Sequence, residues 1–172
     1  MTHRPLAALV LLLLLVGCDS VDDGPLSPGE FRATAGGAVE GRYNGEASFG
    51  EQQTPFDTVL SVNLKTGEYR APGRTYAIAN GIFLSVPWAG VPGSYSIAAD
   101  QSIGSGNVSL PSSATYGVPF PYAVESGSVT VALASDERVE GTFDVVAKAW
   151  TSPEGATVRV QGDFVALPVT GP

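Results

Sequence analysis

Five carboxylates in the C-terminal part of this 172-residue chain, Asp136, Glu137, Glu140, Asp144 and Asp163, lie near enough in sequence to be weighed together as acid–base groups. Two carboxylates facing each other about 5–10 Å apart can hydrolyse a glycosidic bond, one as acid and the other as nucleophile or base. Glu140 and Asp144, however, alternate with Thr142 along an apparent strand, the pattern of an ordinary solvated face. Asp136 and Glu137 fall in a turn-like stretch where their oxygens could ligate calcium, but no Asp-x-Asp-x-Asp spacing accompanies them. The expectation is a protein that is not an enzyme and that needs no metal or cofactor. A carboxylate-dependent glycan hydrolase is the competing reading.

Two aromatic stretches carry a second kind of chemistry. Val86-Pro87-Trp88-Ala89-Gly90-Val91-Pro92 holds a tryptophan between prolines, and the segment from Tyr116 to Tyr122 holds Tyr116, Phe120 and Tyr122. Such proline-stiffened loops present apolar area at low entropic cost, so they could stack on the sugar rings of a glycan or anchor an envelope protein. That role requires Trp88, Tyr116 and Phe120 to be exposed and to converge on one edge. The alternative is that they fold back and cap an end of the domain, since tryptophan is usually largely buried. Trp150 carries the same ambiguity.

Cys18 is the single cysteine. Before it come a short start bearing Arg4 and an unbroken apolar run from Leu6 to Val16. Those eleven residues rise only about 16 Å as a helix, roughly half a hydrocarbon core, which suits a signal-peptide h-region and not a membrane span. Leu15-Val16-Gly17-Cys18 resembles the lipobox of bacterial lipoproteins. The resemblance implies a diacylglycerol on the Cys18 sulfur, cleavage before Cys18 and acylation of the new terminus. Two or more acyl chains give stable anchoring where one gives reversible binding. An ordinary secretory signal would call for small residues at its cleavage site and would have no use for the cysteine. The implied organisation is a signal peptide at 1–17, an acidic, Pro- and Gly-rich flexible tether at 18–29 and a single domain at 30–172. The partner is a membrane, reached through the lipid on Cys18. The acidic pair Asp22-Asp23 resembles a surface-sorting signal of some Bacteroidetes lipoproteins, whereas Asp19 directly after the cysteine resembles an inner-membrane retention signal of enteric bacteria. The expected location is the cell envelope, most simply the outer membrane, facing the periplasm or the surface.

Removing residues 1–17 from 172 leaves 155, enough for one domain with a core. It also removes His3, the only histidine, and Arg4, so eight basic residues remain against 17 acidic ones, a balance of −9. Without an imidazole, Ser-His-Asp and Cys-His catalysis have no base, and typical zinc sites have no ligands. Basic residues are too sparse for nucleic-acid binding.

The elements that must position these residues read as strands. No long window after Glu30 has helical periodicity, and strand-like runs recur every eight to twelve residues or so. Runs are expected at Phe31–Ala35, Gly41–Phe49, Thr58–Leu64, Arg74–Ala79, Ile82–Val86, Gly93–Ile97, Asn107–Leu110 and Tyr122–Glu125. A closing meander follows. Ser128–Leu133 places Val129, Val131 and Leu133 on one face, and Ser135–Arg138 makes a turn. Val139–Val145 then turns Val139, Phe143 and Val145 inward, residues 151–155 reverse the chain, and Thr157–Leu167 returns with Val158 and Val160 together. Gly162 is expected to mark a bulge; Pro87, Pro92, Pro111, Pro119 and Pro121 should lie between strands. The fold class is all-β, an antiparallel β-sandwich or flattened β-barrel of about 8–11 strands.

Phe31-Arg32-Ala33-Thr34, Gly93-Ser94-Tyr95-Ser96-Ile97, Ser126–Val131, Val139–Phe143 and Val160-Gln161-Gly162-Asp163-Phe164 occur in an order that resembles an uncharacterised family of small Bacteroidetes-type lipoproteins. The resemblance implies a compact sandwich or flattened barrel and brings no catalytic residues. The Tyr116–Tyr122 loop departs from it. The function expected is a lipid-anchored envelope lipoprotein acting as a binding or structural module, with glycan recognition as the alternative.

Overall fold

A computed structural model describes residues 24–55, 57–69, 78–98, 104–111, 120–150 and 155–169. These form nine strands: β1 (Glu30–Gly37), β2 (Gly41–Gln53), β3 (Thr58–Tyr69), β4 (Ile78–Pro87), β5 (Gly93–Ala98), β6 (Ser105–Leu110), β7 (Phe120–Ala134), β8 (Val139–Ala149) and β9 (Thr157–Pro168). The hydrogen-bonded order is β7-β6-β4-β3-β2-β1-β9-β8, and β8 pairs back with β7. Eight strands thus close an all-β barrel, and β5 is the ninth, added beside β7. Full closure leaves the wall without a free edge.

Alternation explains the closure. Along β8, Val139, Gly141, Phe143, Val145, Ala147 and Ala149 are buried while Thr142 and Lys148 face water. On β9, Val158, Val160, Phe164 and Ala166 are buried. Leu60, Val62 and Leu64 of β3 and Ile82, Leu84 and Val86 of β4 complete a filled interior. Bulky and small residues complement one another between adjoining layers of the wall. Gly141, Phe164, Phe31 and Gly45 are successive cross-strand partners, as are Phe143, Gly162, Ala33 and Tyr43. Each large ring therefore lies over a position with little or no side chain, which is how a small barrel packs its lumen.

Several expectations change. Gly162 is no bulge: its pairings with Ala33 and Phe143 continue in register, and it shares the inward phase of Val160 and Phe164. A Cβ there would lie 2.1 Å from the Arg32 carbonyl oxygen, so the glycine serves close strand packing. The bulges lie elsewhere, at Lys65/Gly67 in β3 and at Val124/Ser126 and Val131/Leu133 in β7. The last of these takes Leu133 off the inward face of Val129 and Val131 and sets it opposite Glu140, leaving it half-buried. The runs Tyr122–Glu125 and Ser128–Leu133 are one strand, β7, whose Val124/Ser126 bulge hides the continuity. That bulge stands where β7 changes neighbour: β6 pairs with Phe120–Ala123 and β5 with Ser126–Val131, along the same edge. Pro121 lies inside β7 and not between strands, exposed and opposite Ser109. The Ser135–Arg138 turn forms as expected, its Ser135 N–H donating to the Arg138 carbonyl at 3.0 Å.

The end of the expected tether is part of the wall. Gly29 N–H donates to the Val165 carbonyl, the Ala47 N–H donates to the Gly29 carbonyl, and the Glu30 N–H donates to Ser27. Beyond them β2 and β9 meet directly in a short parallel pairing at Ser48 and Leu167. The signal peptide, Cys18, Asp22-Asp23, the run at 74–77, Tyr116, Pro119 and the turn at 151–154 lie outside the described residues.

Candidate functional site

The strands separate the two aromatic stretches. β4 and β7 both run antiparallel to β6 and hence parallel to each other. Trp88 follows the last residue of β4, while Phe120 and Tyr122 open β7, so they stand at opposite ends of the barrel. Convergence on one edge is not what the fold provides. Trp88 is also buried, at 5% exposure. Its indole N–H donates to Glu51 Oε1 at 2.9 Å, and its ring packs 5.1 Å from that of Tyr95. The Tyr95 hydroxyl donates in turn to the Val91 carbonyl. Trp88 therefore caps one end of the core, the second of the two roles considered for it. At the other end Tyr122 is buried and half-buried Phe120 packs edge-on against it at 5.6 Å. Tyr43 donates its hydroxyl to the Pro111 carbonyl at 2.9 Å. Burial raises the pKa values of Tyr43 and Tyr122 above the ordinary tyrosine value, favouring the neutral hydroxyl at both. Trp150, by contrast, is exposed.

The carboxylates are held on the outer wall by basic neighbours. Asp144 accepts two hydrogen bonds from Arg159, Asp163 pairs with Arg32 at 3.1 Å, and Glu140 pairs with Arg138 at 2.8 Å. The Arg159 guanidinium lowers the Asp144 pKa, first through its hydrogen bonds, against a partial desolvation that would raise it. A glycosidase acid needs the opposite shift. Asp136 and Glu137 are exposed at the turn, and among the described residues no group of three or more His, Cys, Asp or Glu side chains is arranged to hold a metal ion.

A concavity lies elsewhere, on the outer face of β2, β3, β4 and β6. It is an open groove of about 600 Å³ whose lining includes Glu46, Ser48, Asn63, Lys65, Gly81, Phe83, Asn107, Ser109 and Leu167. Register builds it. Leu167, Ser48, Asn63, Phe83 and Asn107 are successive cross-strand partners across five strands. Glu46, Lys65, Gly81 and Ser109 form the adjoining row. These residues occupy the outward phase of strands whose other phase is the core. Asn80, the one buried polar residue among those described, also borders the groove, and its Oδ1 is buried without a hydrogen-bond partner, as is Thr66 Oγ1 at the β3 bulge. None of the groove residues stands out in sequence, because serine and asparagine on a strand's polar phase look like ordinary solvated surface. No family model, curated protein or solved structure matches the chain.

Proposed function

We propose that this chain is a lipid-anchored cell-envelope lipoprotein whose barrel acts as a binding or structural module without catalysis. The observation that carries the reading is the lipobox-like Leu15-Val16-Gly17-Cys18 directly behind an eleven-residue apolar run and ahead of a filled, closed barrel. A filled lumen and carboxylates held by Arg159, Arg32 and Arg138 support holding a ligand over converting one. Five residues separate Cys18 from Gly24, a span of at most about 22 Å, so the lipid would keep the barrel against its membrane. The site falls in the outer membrane, on its periplasmic or surface side. The resemblance to small Bacteroidetes-type lipoproteins agrees with this reading through motifs that lie on β1, β5, β7, β8 and β9. Glycan recognition is the second reading. The outer groove, with its carboxamides, hydroxyls and one aromatic ring, favours it over the aromatic loops first considered.

The test is expression of Cys18→Ala in a Gram-negative host. Incorporation of labelled fatty acid should disappear, and the protein should leave the membrane pellet or persist uncleaved as precursor. A variant that is still labelled and cut at residue 18 refutes the anchor.

A further inference from the structure

We infer that the outer groove on β2, β3, β4 and β6 binds a neutral, linear glycan chain laid across the strands; the inference rests on the glycan reading and gives it a place and a ligand class. Five residues in cross-strand register, from Leu167 through Ser48, Asn63 and Phe83 to Asn107, cover four interstrand steps. At about 4.8 Å per step the row is roughly 19 Å long, and each step is close to the length of one sugar ring in an extended chain. The chemistry along it is uncharged. Asn63 and Asn107 each offer a donor and an acceptor, and Ser48 and Ser109 can do either, which matches sugar hydroxyls that both donate and accept. Half-buried Phe83 stands between the two asparagines and offers a flat apolar face to the C–H side of a ring. The adjoining row brings one acid, Glu46, directly opposite one base, Lys65, so the groove carries no net charge to draw an ionic polymer. The chain's balance of −8 disfavours an anionic ligand as well. A peptide strand has no free edge to pair with here, because β2, β3, β4 and β6 each have both neighbours in the closed wall.

The test titrates the full-length lipoprotein in detergent with cellohexaose, chitohexaose and maltohexaose, and with a hexagalacturonate as the anionic control, by calorimetry. Saturable binding of a neutral hexasaccharide is expected, weakened at least tenfold by Phe83→Ala and by Asn107→Ala, with the parent's affinity kept in Phe120→Ala. Asn107 is exposed, so its variant keeps the test decisive should Phe83→Ala fail to fold. Unchanged affinity in Phe83→Ala and Asn107→Ala, or loss confined to Phe120→Ala, overturns the groove while glycan recognition stands. Binding of the galacturonate alone overturns the neutral-ligand assignment. Binding of none of the four overturns the groove and the glycan reading together.

Discussion

Phe164→Ala should remove about 3–5 kcal/mol of stability, the usual loss when a fully buried ring is truncated. Phe164 is 1% exposed and occupies the centre of the layer Gly141-Phe164-Phe31-Gly45. Its neighbours cannot collapse into the vacated space. A Cβ built on Gly141 would sit 3.0 Å from Phe164 Cζ, so the ring fills the room the glycine leaves, and a glycine has no side chain to swing inward. Against a domain stability of about 5–15 kcal/mol the loss is a large share of the whole. Urea unfolding should show a lower midpoint with an unchanged slope. A change below about 1 kcal/mol would mean that the lumen is not packed as described.

Gly162→Ala should lose at least the upper part of the roughly 1–3 kcal/mol typical of overpacking. The added methyl would meet the Arg32 carbonyl oxygen at 2.1 Å and Ala33 Cα at 2.9 Å. Both atoms belong to the backbone of β1, so relief requires moving a strand that is paired along its length with β9. Gly36→Ala and Gly50→Ala are the matched controls, because nothing lies within 4 Å of a Cβ at either position. They should stay within about 0.5 kcal/mol of the parent or stabilise it slightly. If Gly162→Ala unfolds at the same midpoint as those controls, close packing of β1 on β9 is not what selects glycine there.

These two positions also mark how far the sequence could be read. Val139 to Val145 announced their strand because water on one side and core on the other impose a two-residue period, and the β8–β9 meander followed from it. Gly162 misled because a glycine inside an alternating run signals either a bulge or a close approach, and local pattern cannot distinguish them. The choice depends on Arg32, some 130 residues away in sequence. β7 reads as two runs for the converse reason: its bulge at Val124/Ser126 reverses the apolar parity while the hydrogen-bonded ladder continues. Trp88 stands out between its prolines, yet its partner Glu51 comes from another strand, so its burial is not deducible from those prolines. The groove was illegible for the same physical reason. Ser48, Asn63, Phe83 and Asn107 come together only when the register of three strand pairs is known, and a slip of one residue would turn each of them to the other face. The lipobox-like Leu15-Val16-Gly17-Cys18 is the opposite case, because the proposed anchor rests on contiguous residues and needs no fold.

The measurement that bears most directly on the account is the intact mass of the protein extracted from bacterial membranes. The account predicts a chain that begins at Cys18, lacks residues 1–17 and carries the added mass of a diacylglycerol with a further acyl group. A chain of unmodified mass beginning at Met1, or one cut elsewhere without lipid, would contradict it.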